Sequence, residues 1–238
     1  MSGNRLTAII SKFFRHLLAP GVCLACGDRL DQAVSLCDAC SRRLDRIPNP
    51  CQYCAEPNPA GGRVCPRCLL NPPRWQRTRI PFHYRGLVRD YLIRVKFDQS
   101  LHLAHCLCEQ GLAALQDREM QPQALLPVPL YRGRLFERGY NQAEEIASLW
   151  SHWLDIPLDR KALTRKRHTP GQSGLSADQR ADNVREAFAY APRIEYRHVA
   201  IVDDIVTTGS TVSEIARLLH RHGVEYVEVW ALARAYRR

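Results

Sequence analysis

The spacing of apolar residues changes along the chain, and each spacing marks an element. "HVAIVDD" holds Val199 to Val202 in one unbroken apolar run, the signature of a parallel strand covered on both faces. Just beyond it Val212, Ile215, Ala216 and Leu219 recur at helical spacing, which predicts a helix beginning near Ser210 or Thr211. Upstream, "RIPFHY" reads as a strand, "GLVRDYLIRVKF" as a helix, and Leu101 to Leu115 as a second helix. "ALLPVPL" reads as a strand and "NQAEEIASLWSHWL" as a helix. Further strands are expected near Leu158, Ala187 and Val199, and a last one over "YVEVWALARA". Strands that alternate with helices predict an α/β domain with a mostly parallel sheet over residues 80–238.

Two stretches break this rhythm. "TRKRHTPGQSGLSADQRADN", Thr164 to Asn183, is polar and basic, and a loop this long inside a compact domain is usually functional. "NPPRWQRTR", Asn71 to Arg79, is rich in proline and polar residues and reads as a linker over 71–79. At the start of the chain Leu6, Ile9, Ile10, Phe13 and Leu17 share one helical face, predicting a packing helix within 1–22. The same stretch resembles a signal peptide, but Lys12, Arg15 and His16 interrupt the run and no small-residue cleavage site follows. No segment reaches the ~20 apolar residues that span a bilayer, so a cytoplasmic location is expected.

Cysteine spacing adds a separate module at 23–70. Eight of the ten cysteines form CxxC pairs: Cys23/Cys26, Cys37/Cys40, Cys51/Cys54 and Cys65/Cys68, each ten residues from the next. CxxC knuckles turn two thiolates toward one tetrahedral ion, so zinc is preferred to a disulfide framework. Sequential pairing gives Cys23, Cys26, Cys37 and Cys40 one ion and Cys51, Cys54, Cys65 and Cys68 another. An interleaved cross-brace closes longer loops, at only ~0.8 kcal/mol more per loop, so closure entropy does not decide between them. "RLDRIPNP" between the halves looks like a hinge and favours sequential ribbons. Four thiolates per ion leave no open position, so zinc here, filling one site or both, is structural. Cys106 and Cys108, in "SLHLAHCLCEQGLAAL", read as small apolar residues of a helix rather than ligands.

Charge is a weaker guide. A formal net charge of +10 favours an anionic partner: a phosphorylated metabolite, a nucleic acid or a membrane surface. Residues 201–211, "IVDDIVTTGST", say which. A loop entering a helix N-terminus offers backbone N–H groups and the positive end of the helix dipole. Hydroxyls from Thr207 to Thr211 add donors, and Gly209 permits close backbone approach. That combination suits a phosphate monoester. Asp203 and Asp204 stand just before it at the C-terminal end of a strand, where open α/β sheets bind ligands. Their carboxylates suit the vicinal hydroxyls of a ribose. No GxxxxGK[ST] loop occurs.

"VAIVDDIVTTGST" resembles the phosphoribosyl pyrophosphate (PRPP) signature of type I phosphoribosyltransferases. "LLPVPLYRGRLFERGYNQAEEIA", "GQSGLSADQRADNVREAF" and "YLIRVKFD", together with the four CxxC pairs, narrow the resemblance to the ComF/GntX family. It runs from Cys23 to the last strand. The resemblance implies that Asp203 and Asp204 hold the ribose hydroxyls and serve catalysis, and that Thr207, Thr208, Gly209, Ser210 and Thr211 hold the 5′-phosphate. The turn Pro129, Leu130, Tyr131 and Arg132 would face the pyrophosphate, with Arg134 and Arg138 adding charge. Residues 165–183, with Gln172, Ser173, Arg180 and Asn183, match the loop that closes over the reacting centre. Glu137 stands where relatives often carry a basic residue. Lys96 reads as a solvated lysine at a helix end.

By that resemblance PRPP binds with Mg²⁺, and pyrophosphate leaves the anomeric carbon in favour of an acceptor, usually a nitrogen base. The competing reading is a non-catalytic competence factor that senses PRPP and binds single-stranded DNA or proteins of the competence machinery. Aromatic residues among basic ones, as in "PPRWQRTRIPFHYR", suit single strands and equally a domain interface.

Overall fold

The computed structural model describes residues 21–31, 34–59, 61–116, 120–166 and 186–236. The chain forms two compact units, Met1–Leu44 and Asp45–Arg238. The expected N-terminal helix lies outside the described residues.

In the first unit, β1 (Gly21–Val22) pairs antiparallel with β2 (Arg29–Leu30), and a helical turn, α1 (Asp38–Ser41), follows. The second unit opens with the second cysteine ribbon, which ends in α2 (Pro66–Leu70). Where a linker was expected the chain at once joins the sheet: β3 (Arg77–Arg79) lies parallel to β9 (Tyr226–Arg234). "RIPFHY" is therefore not one strand. β3 stops at Arg79, β4 (Phe82–His83) resumes on the same neighbour, and the register carries through unchanged. Pro81 sits in the gap because it has no N–H to give the ladder.

The sheet runs β3-β9-β8-β5, with β4 beside β9, and every pairing is parallel. β5 (Ala124–Pro127) and β8 (His198–Val206) are the strands expected from their apolar runs. The strand expected near Leu158 is only a single parallel bridge to Leu125. α3 (Gly86–Phe97), α4 (Leu101–Gly111) and α6 (Gln142–Leu154) match the predicted helices. Cys106 and Cys108 are buried in α4 beside Leu103 and Leu107. α7 (Ser210–Arg221) begins where its period predicts.

α7 covers one face of the sheet, where Val212, Ile215, Ala216 and Leu219 pack with Val199, Ile201, Val227 and Val229. The opposite face carries Trp230, edge-to-face with Trp150 of α6 at 6.2 Å. Between Thr164 and Asn183 the structure describes only the start, where β6 (Leu163–Arg165) pairs antiparallel with β7 (Phe188–Tyr190). A further helix absent from the sequence reading, α5 (Arg132–Arg138), follows β5.

Glu228 points into the face opposite α7 and is completely buried. Arg79 Nε donates to its Oε2 at 2.7 Å, as does Trp230 Nε1 at 2.7 Å, and His198 Nε2 lies 3.1 Å from Oε1. A buried carboxylate persists only when its lone pairs are met in this way. Here the cluster ties three strands of the sheet together.

Candidate functional site

β8 delivers Asp203 and Asp204 at its C-terminal end, both partly buried. Each carboxylate accepts from the next backbone amide: Asp204 N donates to Asp203 Oδ1 at 2.9 Å, and Ile205 N to Asp204 Oδ1 at 2.8 Å. These local bonds hold both side chains in place. Burial, followed by the charge of Asp204, pushes the Asp203 carboxyl well above the usual carboxylate range.

The loop Thr207–Thr211 follows without interruption. Gly209 is its pivot, with φ +82°, a conformation that glycine adopts without cost. A Cβ there would lie 3.1 Å from the Trp75 ring, a tight contact to which the ring would have to give by a few tenths of an ångström. Thr208 Oγ1 and Ser210 Oγ are 2.8 Å apart. Gly209 is the N-cap of α7 and brings no side chain to the helix start, so the positive end of the dipole faces the loop. A groove of about 680 Å³ borders Thr208, Gly209 and Ser210, with Arg74, Arg221 and the Arg217–Glu214 pair on its wall beside Glu186.

The segment after β5 is held by "RGYNQ". Gly139 closes α5. Asn141 caps α6, accepting from Ala143 N at 3.2 Å, while its Nδ2 donates to Val128 O at 3.0 Å. Tyr140 Oη donates to Val95 O near the end of α3, and Arg138 Nη1 donates to Gln142 Oε1 at 3.3 Å. The motif thus works as a joint between the turn Pro129–Arg132, α6 and α3. Tyr131 is the N-cap of α5 and Arg132 its first residue. Glu137 is exposed.

Two cations that the sequence left unassigned lie in this neighbourhood. Lys96 is half-buried rather than solvated: burial lowers its pKa, Arg138 and Arg134 lower it further, and Asp204 and Asp203 oppose them. Arg165, read as the first residue of the long loop, ends β6. Its pKa is lowered by burial first and by Arg134, with Asp203 opposing. The guanidinium also stands 5.4 Å over the Phe188 ring. Lys96 thus feels Arg134, Arg138 and both aspartates, and Arg165 feels Arg134 and Asp203. Sequence spacing carries no sign of this, because the four cations come from α3, α5 and β6, far apart in the chain. Gln172, Ser173, Arg180 and Asn183 lie outside the described residues.

The cysteines pair sequentially. Cys23, Cys26, Cys37 and Cys40 form one group and Cys51, Cys54, Cys65 and Cys68 the other, with all four sulfurs of each within 4.8 Å of one another. Cys26 and Cys37 Sγ are 3.9 Å apart, and Cys54 and Cys65 Sγ 3.8 Å. Ligands at the ~2.3 Å Zn–S distance of a tetrahedral site are separated by ~3.8 Å. Burial works against ionisation of Cys23, yet the amides of Cys37, Cys26 and Ala25 outweigh it and bring the thiol to about 6. Cys51 falls to about 7 in the same way, through the amides of Cys65, Cys54 and Tyr53. Burial first, then the neighbouring thiolate, pushes Cys54 up to about 11, and Cys68 is raised further. Four thiols this close ionise together only around a cation, so both groups fit structural zinc.

A parallel sheet with an Asp-Asp strand end feeding a hydroxyl-rich loop, joined to two four-cysteine sites, defines a phosphoribosyltransferase-domain protein with a double zinc ribbon. The phosphoribosyl transferase domain matches residues 138–238, and the double zinc ribbon domain residues 14–69. The chain is 40% identical to Competence protein F of Haemophilus influenzae over 179 residues, 72% of this chain and 78% of that protein. DNA utilization protein YhgH of Escherichia coli K12 is 39% identical over 175 residues, 71% and 77% of the two chains. Competence protein ComFC of Streptococcus pneumoniae is 24% identical over 157 residues, 66% and 67% of the two. The chain belongs to the ComF family. Among the described residues no helix is long and apolar enough to cross a membrane.

Proposed function

We propose that the protein binds PRPP with Mg²⁺ and transfers its phosphoribosyl group to an acceptor, in the competence or DNA-utilisation setting for which its relatives are named. The observation that carries this reading is the unbroken path from Asp203 and Asp204 through the Gly209 pivot to an α7 start that bears no side-chain cap.

In this reading Asp203 and Asp204 accept from the ribose hydroxyls. Thr207, Thr208, Ser210 and Thr211 give hydroxyl and backbone donors to the 5′-phosphate, and Gly209 lets the backbone approach it. Pro129 to Arg132 line the pyrophosphate side, where Arg134, Arg138, Lys96 and Arg165 supply positive charge. The oxygen donors of Asp203 and Asp204 suit Mg²⁺, a hard cation, and two crowded carboxylates favour one nearby. Mg²⁺ bound with PRPP offsets the charge of the departing pyrophosphate. The C1–O bond breaks with its electron pair leaving on pyrophosphate, a nucleophilic atom of the acceptor bonds to C1, and the acceptor sheds a proton. Catalysis is then positioning and charge stabilisation rather than covalent chemistry.

One observation favours a second reading, in which PRPP is a regulatory ligand of a DNA-binding factor. It is the groove beside the loop, where Arg74, Arg217 and Arg221 outnumber Glu186 and Glu214, on a chain of net charge +10. Calorimetric titration of PRPP, with and without Mg²⁺, tests both against Asp203→Asn/Asp204→Asn. Mg²⁺-dependent binding that weakens about 100-fold or more in the double variant supports the site, since two charge-assisted contacts are lost. Absence of binding to the folded, zinc-loaded protein refutes it. Salt-dependent affinity for single-stranded DNA without pyrophosphate release selects the second reading.

A further inference from the structure

The second cysteine ribbon is fastened to the α/β layer through three consecutive carbonyls of its first knuckle. Trp75 Nε1 donates to Tyr53 O at 2.6 Å, Arg234 Nε to Cys54 O at 2.9 Å, and Tyr236 Oη to Ala55 O at 2.8 Å. The knuckle turn is tight: Cys51 N donates to Glu56 O and Ala55 N to Cys51 O, both at 2.8 Å. Cys51 and Cys54, on either side of Gln52 and Tyr53, bring two of the site's four sulfurs to this turn.

The other ends of two of these contacts lie at the Thr207–Thr211 loop. The buried Arg234 guanidinium donates through Nη1 to Val206 O at 2.9 Å, and also to Thr207 O, the carbonyls that lead into the loop. Its Nη2 is 3.5 Å from Glu56, which also pairs with Arg67 at 2.6 Å. The Trp75 ring is also what a Cβ at Gly209 would meet, at 3.1 Å. A single arginine therefore joins the carbonyl of a cysteine ligand to the entry of the loop, and one tryptophan joins the same knuckle to the loop's pivot.

We propose that Arg234 and Trp75 are positioning residues through which metal at the Cys51, Cys54, Cys65 and Cys68 site orders the anion-binding loop, so that ligand affinity depends on the metal state of that site. This rests on the PRPP reading for the identity of the ligand, but the coupling itself is a property of the fold. Linkage makes it reciprocal: if metal at this site tightens ligand binding, ligand tightens the hold on that metal by the same factor.

The test follows zinc release from the full-length, zinc-loaded chain to a chromogenic chelator, with and without saturating PRPP and Mg²⁺, alongside calorimetry. Cys23→Ser/Cys26→Ser isolates the second site. The expected result is release from that site slowed about tenfold by PRPP, within the usual range of coupling between sites. In Trp75→Phe, which keeps a ring over Gly209 but loses the bond to Tyr53 O, the slowing falls to about twofold or less while PRPP still binds. Arg234→Lys, which cannot span both carbonyl groups, behaves likewise. PRPP that binds without altering zinc release from the second site overturns the coupling and leaves the PRPP reading standing. If PRPP does not bind, that reading fails, and amide hydrogen exchange at Val206 to Thr211 decides the coupling instead. Faster exchange after zinc is withdrawn from the second site supports it, and unchanged exchange overturns it.

Discussion

The two cysteine ribbons repeat one pattern and differ in almost everything around it. Both turn on a knuckle closed by the same pair of backbone bonds: Cys23 N to Asp28 O with Gly27 N to Cys23 O, and Cys51 N to Glu56 O with Ala55 N to Cys51 O. Both place the residue four beyond the first cysteine in the left-handed region, Gly27 at φ +81° and Ala55 at φ +57°. Glycine takes that conformation freely, whereas alanine pays about 1 kcal/mol for it. The difference is intelligible from the surroundings. Ala55 is buried and its carbonyl is held by Tyr236, so packing outweighs the strain. In the first site Cys26 is exposed, and its Sγ lies 3.1 Å from Asp28 Oδ2. In the second all four cysteines are buried. Repetition of a motif transmits its local geometry, and context decides what the geometry is for.

The sharpest challenge to this contrast is to remove one ligand from each site. Cys65→Ser is expected to cost the Asp45–Arg238 unit about 5 kcal/mol or more, through lost metal and a broken clasp. Cys40→Ser is expected to leave the same transition unmoved. Tryptophan fluorescence reads this directly, since Trp75, Trp150, Trp153 and Trp230 all lie beyond residue 44. Equal losses would erase the contrast.

Next in size is Arg234→Met, which strands the carbonyls of Cys54, Val206 and Thr207 and is expected to cost about 3 kcal/mol in urea unfolding. Glu228 supplies a control for acid effects that do not pass through the metal. Burial raises its pKa, but hydrogen bonds from His198, Arg79 and Trp230 prevail and hold it below the ordinary value. Its folded pKa is therefore lower than its unfolded one, near 4.3. The stabilisation is present above that pH and is lost as pH falls through the folded value. Glu228→Gln is expected to cost about 2 kcal/mol at pH 7 and to flatten the acid limb of stability, measured with chelator present. A variant whose acid limb matches the parent's would assign that limb to other groups. Smallest of all, Gly27→Ala meets nothing within 4 Å and is expected to cost about 1 kcal/mol of conformational strain, read as faster amide exchange confined to the first ribbon.

Much of this was legible beforehand. The run Val199 to Val202 and the period of α7 located the central strand, the loop and the helix, because both signals are local. The hinge between the ribbons favoured sequential pairing of the cysteines, and the fold groups them so. What escaped were features made by distant partners. α5 has no buried face, with Phe136 92% exposed, so no period announces it. β3 was taken for linker because its three residues are polar and owe their strand form to β9. Lys96 reads singly as a solvated helix-end residue and Arg165 as the start of the closing loop, and only the fold brings their charges to bear on Asp203.

Arg234 stands 180 residues beyond the carbonyl of Cys54 that it clasps. At roughly 5–20 residues per second, a ribosome needs about 9–36 s to make that stretch. The second ribbon is therefore synthesised, and able to capture its ion, well before the arginine that fastens it exists. During that interval the carbonyls of Cys54 and Ala55 wait for Arg234 and Tyr236, while Trp75 is already at hand for Tyr53. The order of manufacture makes the ribbon a seat waiting for the last strand, and a shortage of metal early in synthesis would be felt at the opposite end of the chain.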